Sequence, residues 1–287
     1  MIKKTIVEVL PAELLKKKEA MRKVGATGLH VLADFDKTLT KEFVRGRRVP
    51  SLISILHDYN YLTPDYPEKA KELHLKYHPI EVDIRVPLKE KKRAMLEWWR
   101  SHFRLLIESG LRRQDIEHAM TSGYVELRDG AREFFETLRK LDIPFVILSA
   151  SGIGREGITA FLKDAGVLTG NVHIISNEFR WDGNDQAIGY IEPIVHTFNK
   201  DETLIRNFAP AYTAVRKRKN VILLGDSLGD LGMISGFAHD WLISIGFMNE
   251  RNDEWLEEYQ RHFDAILLDD APFDYVNALL HYILSPE

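Results

Sequence analysis

Two aspartates spaced two positions apart are the first residues of the chain whose types and spacing could do chemistry. Asp34 and Asp36 lie in the string DFDKT, which directly follows the apolar run LHVLA. Side chains at positions i and i+2 of an extended chain project to the same side, so the two carboxylates belong to one site. The structural alternative is that one of these acids caps a helix after a strand-to-helix turn. Their place at the end of an apolar run favours the site.

A second pair of acids follows another apolar run. Asp226 and Asp230 lie in the string GDSLGD, directly after residues 221–224. If the two apolar runs form neighbouring strands, these acids join the first pair and offer the hard oxygen ligands that Mg2+ prefers. Zinc is disfavoured, because the chain has no cysteine and its histidines show no clear pairing. The four acids therefore predict a magnesium site.

Two further segments offer groups that could bind a phosphate. Ser149 closes the apolar run PFVIL and precedes Ala150 and Ser151, so a hydroxyl and backbone amides meet at the start of a helical pattern, which favours anions. Lys200 follows the string HTFN and could balance the charge on phosphoryl oxygens. Taken singly, Ser149 also fits a helix cap and Lys200 a surface lysine.

The elements that must position these residues alternate between strands and helices. Short runs of branched apolar residues that end in polar residues predict strands, and the segments between them have helical patterns. This order favours an α/β fold with an open, Rossmann-like parallel sheet. The predicted strands are residues 29–34, 145–149, 172–176, 221–226, 242–245 and 265–268. The predicted helices between and after them are residues 131–141, 154–165, 201–208, 253–260 and 273–284.

Residues 41–128 break this alternation, because they carry long helical patterns and no convincing strand. The helical patterns cover residues 67–77, 88–108 and 113–120. The segment leaves the sheet after the first predicted strand and returns before the second, so it lies over the sheet edge where open α/β folds bind ligands. We interpret residues 44–125 as an inserted helical cap, and residues 1–43 together with 126–287 as the catalytic core.

Composition narrows the classes of function. A net charge of -4 gives no general attraction to nucleic acid or acidic membranes, so neither a nucleic-acid polymer nor a membrane is expected as a partner. No apolar run approaches the roughly 20 residues that cross a bilayer, and the start of the chain reads as a charged helix after Pro11 instead of a signal peptide. The absence of cysteine excludes disulfides and thiolate catalysis and is compatible with a reducing compartment. We expect a cytoplasmic monomer.

In their order and strand context, these motifs resemble those of the haloacid dehalogenase superfamily of phosphohydrolases. The inserted segment resembles the type 1 helical cap of that superfamily. More narrowly, the chain is similar to the cytosolic 5'-nucleotidase III, or pyrimidine 5'-nucleotidase, family across nearly its whole length. The stretches that carry this likeness are ADFDKTLT, YHPIEVD, MLEWW with LLIESG, LSASGIG, VHTFNK and LLGDSLGD.

The resemblance implies roles for the four acids. Asp34 is then the nucleophile, and Asp36 is the general acid and base. Mg2+ binds the carboxylates of Asp34 and Asp226 and the main-chain oxygen of Asp36, with Asp230 as a further ligand or as support. Attack by Asp34 on phosphorus gives a phosphoaspartate, and Asp36 protonates the leaving oxygen before it activates water.

The resemblance also implies that Lys200 and Ser149 hold the phosphate. The phosphate loop of the family usually reads SAGIGD, whereas this chain has SASGIGR. Ser151 is thus an extra residue, and Arg155 stands where the family has an acid. Either Ala150 or Ser151 therefore presents its backbone amide to the phosphate.

In the cap, the resemblance points to residues for the nucleobase. Glu81 matches the base-contacting acid of the family, and Trp99 occupies a position where an aromatic ring can stack on the base. Ser101 and His102 are shifted relative to the serine and histidine of the family, and His102 is a further candidate for base binding. The structural alternative for Trp99 and its neighbour Trp98 is core packing of an amphipathic helix.

The resemblance thus implies a Mg2+-dependent 5'-nucleotidase that hydrolyses nucleoside 5'-monophosphates, namely pyrimidine nucleotides and 7-methylguanosine monophosphate, to nucleoside and phosphate. Three alternatives stay open. The same fold could cleave another small phosphomonoester, or pass the phosphoryl group to a nucleoside instead of water. A nucleotide-binding protein without catalysis is the third alternative, and it is disfavoured by the intact catalytic positions.

Overall fold

The computed structural model describes residues 5–49, 55–56, 62–83, 85–236 and 238–286. The strands in this part of the chain are β1 (Ile6–Glu8), β2 (Leu29–Ala33), β3 (Phe43–Val44), β4 (Arg47–Arg48), β5 (Phe145–Leu148), β6 (Val172–Ile175), β7 (Phe179–Trp181), β8 (Ala187–Tyr190), β9 (Asn220–Gly225), β10 (Trp241–Met248) and β11 (Ala265–Leu268). The α-helices there are α1 (Pro11–Val24), α2 (Tyr66–Val82), α3 (Leu88–Glu108), α4 (Arg113–Thr121), α5 (Ala131–Lys140), α6 (Gly154–Asp164), α7 (Glu202–Asn207), α8 (Ala209–Val215), α9 (Asp253–His262) and α10 (Asp274–Leu284).

Seven strands form the central sheet, in the order β1-β11-β10-β9-β2-β5-β6. Only β1 runs antiparallel to its neighbour, and the other pairs are parallel. Every residue of β2, β5, β9 and β11 is buried, as expected for parallel strands covered on both faces. The chain continues from β2 to β5 on one side and later returns to β9 on the other, which makes the end of β2 a topological switch point. The predicted α/β fold with an open parallel sheet is confirmed.

Helices cover both faces of the sheet. Val31 and Ala33 of β2 belong to the larger core cluster, together with residues of α1, α5, α6 and α10. Leu32 points to the opposite side and belongs to a second cluster with residues of α7 and α8. This alternation follows from the period of two along a strand. Within the described part of the chain, no helix is both long and apolar enough to span a membrane.

The helices α2 and α3 form the first part of the inserted segment. Helix α3 begins and ends where the sequence predicts, whereas α2 continues through Pro79 to Val82 and so passes the predicted end at residue 77. Proline lacks the amide that a helix interior uses and commonly ends a helix. Packing outweighs this preference, because Tyr77 lies in a small apolar cluster with Met95 of α3. The extra turn places Glu81 on the helix.

The second part of the inserted segment joins the main core. Phe103 and Leu106 of α3 and Ile116 of α4 belong to the same apolar cluster as the strand β2. The hairpin of β7 and β8 adds a backbone contact, since the amide of Ala187 donates to the carbonyl of Leu111 at 2.9 Å. The inserted segment therefore has a small cluster of its own where α2 packs on α3, whereas other residues of the segment, Tyr66 of α2 among them, belong to the main core.

The sequence patterns do not predict β1, β3, β4, β7, β8 or α8, and β3 and β4 lie in the segment 41–128, for which the patterns indicate no strand. These five strands have only two to four residues each, too few for a periodic pattern to stand out. Helix α8 directly follows α7 and has a proline in its first turn. In the sequence, this proline therefore looks like the end of the first helix and not like the start of a second one.

Candidate active site

The carboxyl ends of β2, β5 and β9 bring the predicted motifs together. The register of the sheet pairs Ala33 of β2 with Ile147 of β5 and with Leu224 of β9. The residues that follow these strands therefore leave the sheet at one edge. The amide of Asp34 donates to the carbonyl of Leu224 at 3.0 Å, which ties the first acidic motif to the strand that precedes the second.

Three aspartates surround Lys200 at this edge. Oxygen atoms of Asp34, Asp226 and Asp230 lie within 4.8 Å of one another. The Nζ atom of Lys200 lies 2.6 Å from Oδ1 of Asp34 and 2.9 Å from Oδ1 of Asp230. Asp34, Asp230 and Lys200 are buried, and Asp226 is half-buried. One ammonium group thus faces three carboxylates in a region of low dielectric, which leaves unbalanced negative charge.

Burial and mutual repulsion raise the pKa values of these acids. Burial raises the pKa of Asp34 to about 6, against the attraction of Lys200 and with added repulsion from Asp230. Burial and then the charge of Asp34 raise the pKa of Asp36 to about 7. Burial, and then the charges of Asp230 and Asp34, raise the pKa of Asp226 well above its ordinary value. A buried set of oxygen ligands with excess negative charge fits a hard divalent cation.

Lys200 stays charged in this environment. Burial acts to lower its pKa, but the carboxylates of Asp230 and Asp34 outweigh burial and hold the pKa above its ordinary value. Asp230 is itself fixed, because its Oδ2 atom accepts from the amide of Ser227 at 3.0 Å and from the hydroxyl of Ser227 at 2.9 Å. A Cβ atom on Gly225 would lie 2.5 Å from Cβ of Asp230, so only glycine fits there. Asp230 thereby orients the lysine.

The backbone directly after Asp36 adopts a conformation that side chains disfavour. Lys37 has a φ of 58°, in the left-handed region. Its amide donates to Oγ1 of Thr40 at 2.9 Å. Its carbonyl accepts from Nδ2 of Asn249 at 2.9 Å and from Nη2 of Arg128. These hydrogen bonds fix the turn and, with it, the direction in which Asp36 leaves the strand.

Arg128 and Asp270 link this turn to the inserted segment. The side chain of Arg128 is fully buried and lies 2.9 Å from Oδ1 of Asp270. Asp270 also accepts from the amides of Glu42 and Phe43, at 3.0 Å each, where the chain enters the inserted segment. No pattern in the sequence marks Arg128, Asp270 or Asn249 as site residues. A charged residue that ends a helical insertion gives no periodic signal of its burial.

Ser149 forms a hydrogen bond inside the loop that follows β5. It is buried, and its hydroxyl accepts from the amide of Ser151 at 3.1 Å. Ser151 is also buried, whereas Ala150 is half-buried. Arg155, near the start of the following helix, forms an ion pair with Glu178 at 3.1 Å. The amide of Ser151 is therefore already used inside the loop.

Glu81 contacts the core close to Lys200. Its Oε1 atom accepts a hydrogen bond from Oγ1 of Thr197 at 2.8 Å. Thr197 lies three positions before Lys200 in the chain. Its Oε2 atom lies 3.3 Å from Nδ1 of His78. Lys91 of α3 donates to the main-chain oxygen of Glu81 at 2.7 Å. The structure thus joins this predicted base-binding residue to the segment that carries Lys200, and Thr197 is a contact that the sequence analysis misses.

Trp99 and His102 lie on α3 within an aromatic group. The ring of Trp99 is half-buried, 6.4 Å from the ring of Trp98 and 5.4 Å from that of Phe103. His102 is buried, and its Nε2 atom shares a hydrogen bond of 3.0 Å with the hydroxyl of Tyr66. Burial lowers the pKa of His102 to about 4, so its ring is neutral at pH 7. His102 thus lies inside the cap, next to Trp99.

Comparison with known proteins relates this site to a family. The family model described as Pyrimidine 5'-nucleotidase (UMPH-1) matches residues 37–284. The 7-methylguanosine phosphate-specific 5'-nucleotidase of Gallus gallus is 33% identical over 283 residues, which cover 98% of this chain and 97% of that protein. Among solved structures, cytosolic 5'-nucleotidase IIIB bound to cytidine superposes with a TM-score of 0.88 at 30% identity, covering 98% of this chain and 94% of the other.

A more distant structure extends the likeness of fold. A hydrolase of the haloacid dehalogenase family from Salmonella enterica superposes with a TM-score of 0.56 at 15% identity, covering 97% of this chain and 81% of that one. At this identity the likeness concerns the fold alone. Together with the family model and the close relatives, it confirms the resemblance drawn from the motifs. The chain belongs to the pyrimidine 5'-nucleotidase (UMPH-1) family, on the haloacid dehalogenase fold.

Proposed function

We propose that the protein is a Mg2+-dependent 5'-nucleotidase that hydrolyses pyrimidine nucleotides and 7-methylguanosine monophosphate through a phosphoaspartate on Asp34. The observation that carries the proposal is the cluster of three carboxylates around Lys200, with Nζ 2.6 Å from Asp34, at the switch point of the sheet. Membership of the family supports the reaction, and the names of the relatives, one specific for 7-methylguanosine phosphate and one bound to cytidine, support the substrates.

Magnesium is assigned to the carboxylates of Asp34 and Asp226 and the main-chain oxygen of Asp36. Asp230 supports this set through Ser227 and Lys200. When bound, the ion supplies positive charge that offsets the repulsion between a carboxylate nucleophile and an anionic phosphate. The excess of carboxylates over ammonium groups in the cluster is the feature of this chain that supports the assignment.

The first step is assigned to Asp34. One of its carboxylate oxygens forms a bond to phosphorus while the bond between phosphorus and the 5' oxygen breaks. Asp36 gives its proton to that leaving oxygen, and the nucleoside departs. Lys200, which lies between Asp34 and Asp230, keeps the nucleophile in place and balances charge on the phosphoryl oxygens.

The second step reverses the role of Asp36. As a base it takes a proton from water, whose oxygen attacks phosphorus while the bond to the oxygen of Asp34 breaks. Phosphate leaves, and both aspartates return to their starting states. The fixed turn at Lys37 serves both steps, because it holds the backbone from which the Asp36 side chain extends.

The phosphate is assigned to the amide of Ala150, the loop of Ser149 and the ammonium group of Lys200. Of the two amides that the sequence leaves open, that of Ser151 already donates to the hydroxyl of Ser149 at 3.1 Å. Using it for phosphate would break a hydrogen bond within a buried loop. Ala150 is less buried than Ser151, which favours its amide as the one that meets the substrate.

Residues 44–125 are assigned the part of a cap that selects the base. Glu81 accepts hydrogen bonds from the base, as the N–H groups of cytosine and 7-methylguanine offer, and Trp99 stacks on the ring, a contact worth about 1 to 3 kcal/mol. His102 supports the position of Trp99 from inside the cap, with ring centroids 6.1 Å apart. The core motifs contact only the phosphate, so substrate choice falls to the cap.

A phosphate-release assay tests the proposal. The substrates are CMP, UMP, GMP, AMP, 7-methylguanosine monophosphate and phosphoserine, each with Mg2+ and with chelator. We expect release from CMP and 7-methylguanosine monophosphate to exceed release from AMP and phosphoserine, and to require Mg2+. A preference for phosphoserine would contradict the nucleotidase assignment. Formation of a new nucleotide in the presence of added nucleoside would identify a phosphotransferase.

The protein is further proposed to act in the cytoplasm as a monomer. The name of the solved relative, cytosolic 5'-nucleotidase IIIB, supports the location. Light scattering coupled to size-exclusion chromatography tests the monomer, and cell fractionation tests the location. A mass of twice that of the chain would contradict the first assignment.

A further inference from the structure

A short segment of the core, residues 196–200, packs tightly against the second acidic loop. A Cβ atom on Gly229 would lie 3.1 Å from both Cγ2 and the carbonyl oxygen of Thr197. A Cβ atom on Gly232 would lie 3.0 Å from the carbonyl oxygen of Lys200. Larger residues at either glycine would push the segment outward. Gly229 therefore sets the position of Thr197, and Gly232, two residues after the motif, sets that of Lys200.

The same segment contacts the cap on its other side. The hydroxyl of Thr197 donates to Oε1 of Glu81 at 2.8 Å. The next residue, Phe198, packs against the cap cluster around Tyr77. Lys91 lies 5.3 Å from the centre of the Phe198 ring and donates to the main-chain oxygen of Glu81. The cap thus holds Glu81 at its backbone and, through His78, at Oε2, whereas the core holds Oε1 through Thr197.

The hydrogen bond from Thr197, together with the contact to His78, restricts rotation of the Glu81 side chain. A glutamate loses up to about 2 kcal/mol of rotamer entropy when it is fixed. A hydrogen bond that fixes Glu81 before substrate arrives removes part of that cost from binding. An ionised carboxylate has about four acceptor positions, so the bonds from Thr197 and His78 leave acceptors for a nucleobase.

We propose that Thr197 is a positioning residue for substrate selection: its hydroxyl orients the carboxylate of Glu81 so that the cap reads the base while the same segment places Lys200 on the phosphate. The inference rests on the proposed role of Glu81 in base recognition. It assigns to the core one of the determinants of base selection, at a residue that itself contacts neither base nor phosphate.

Two variants of Thr197 test the inference. Thr197→Val keeps the shape and removes the donor, whereas Thr197→Ser keeps the donor. We expect Thr197→Val to lower kcat/KM for CMP and for 7-methylguanosine monophosphate by about 5-fold, mainly through KM, the size of one lost hydrogen bond. Hydrolysis of p-nitrophenyl phosphate, which has no base to read, should change less than about 2-fold. Thr197→Ser should behave as the wild type on all three substrates.

Other outcomes overturn the inference. Equal losses on the nucleotides and p-nitrophenyl phosphate would mean that Thr197 supports the catalytic loop. A gain on the nucleotides would mean that Thr197 competes with the base for Glu81. A valine variant with an unchanged nucleotide preference would mean that the hydroxyl does not matter. If Thr197→Val does not fold, the same comparison is made with Thr197→Ala, with the melting temperature measured for each variant.

The Glu81→Ala variant separates this inference from the proposed function. If Glu81→Ala lowers nucleotide hydrolysis but Thr197→Val does not, base recognition by Glu81 stands and the role of Thr197 fails. If neither variant changes the nucleotide preference, the base-reading role of Glu81 fails as well. In the Glu81→Ala background, Thr197→Val should cause no further loss on nucleotides, and an additive loss would overturn the coupling.

A matched control addresses general loosening of the cap. Arg100 of α3 and Glu192 of the core form an exposed ion pair at 2.9 Å, which also joins the cap to the core. Arg100→Gln removes this pair without touching Glu81. Because exposed pairs contribute little, we expect less than about a 2-fold change in kcat/KM on every substrate. A base-dependent loss in Arg100→Gln equal to that of Thr197→Val would overturn the specific role of the hydroxyl.

Discussion

The proposed catalytic edge, formed by Asp34, Asp226, Asp230 and Lys200, differs in construction from the proposed base-reading face of the cap, formed by Glu81 and Trp99. At the edge, the ammonium group of Lys200 joins two buried carboxylates within 2.9 Å. On the cap, the side chain of Glu81 is 23% exposed, and it contacts the core by accepting a hydrogen bond from the hydroxyl of Thr197.

This difference separates two tasks. In the proposed function, the edge contacts the phosphate, which every substrate shares, and its side chains form a buried network. The base-reading face is proposed to contact the part that differs between substrates, and Glu81 on it is more exposed. Substitutions at the edge should therefore affect all substrates, whereas substitutions on the cap should affect nucleotides alone.

The largest effect is expected for Asp34→Asn. An amide is a poor nucleophile, so phosphate release should fall at least about 10³-fold on every substrate. Circular dichroism should show an unchanged fold, because the substitution keeps the size of the side chain. Substantial release of phosphate by the folded variant, from nucleotides or from p-nitrophenyl phosphate, would contradict the covalent mechanism.

Removal of the metal is expected to have the second largest effect on activity. Chelator should abolish activity and Mg2+ should restore it, and Asp226→Ala should lower activity by about 100-fold or more. Mg2+ should also raise the melting temperature of the wild type, since a ligand that binds the folded state stabilises it, and this rise should be lost in Asp226→Ala. Full activity in chelator, or an equal thermal shift in the variant, would rule out the assigned ligand set.

Arg128→Met tests how far the edge depends on its buried support. The substitution leaves Asp270, whose side chain is 14% exposed, without its buried cation, so the free energy of unfolding should fall by about 3 kcal/mol. Urea unfolding measures this change. The control is Arg139→Met, which removes an ion pair with Glu136 on the helix surface and should cost less than about 1 kcal/mol. Similar losses in both variants would contradict the support by Arg128.

The smallest effect is expected on the cap. Glu81→Ala should lower kcat/KM for the preferred nucleotide about 10-fold and leave p-nitrophenyl phosphate nearly unchanged. The physical reason is that the base loses an acceptor while the phosphate keeps all of its contacts. Parallel kinetics on the two substrates measure the ratio. A loss of the same size on both would show that the two regions are not separate, and an unchanged nucleotide profile would direct the test to Trp99.

The sequence predicts the parts of the site that follow strands. Asp34, Ser149 and Asp226 each come directly after an apolar run, and parallel strands end at one edge, so their proximity follows from local patterns. The fold class follows from the same patterns. The catalytic and binding roles of these residues remain predictions for the assays above.

The parts that the sequence does not predict depend on contacts between distant segments. Arg128 and Asn249 meet across 121 positions of the chain, and Thr197 and Glu81 across 116. Such pairs have no periodic pattern, because each residue looks locally like a loop or surface residue. Pro79 shows a different cause, since its local preference to end a helix is overridden by packing of α2 on α3.

The merging of the inserted segment with the main core has a consequence for exchanging specificity between relatives. A graft of all residues 44–125 from another enzyme would replace Phe103, Leu106 and Ile116, which pack with β2, and so would disturb the catalytic core. A graft limited to residues 67–100 would move Glu81 and Trp99 and keep Tyr66, Phe103, Leu106 and Ile116 of that cluster, with the contact between Trp99 and Phe103 as the seam to be matched. The boundary of the transferable module therefore lies inside helix α3, near residue 100, and not at the ends of the insertion.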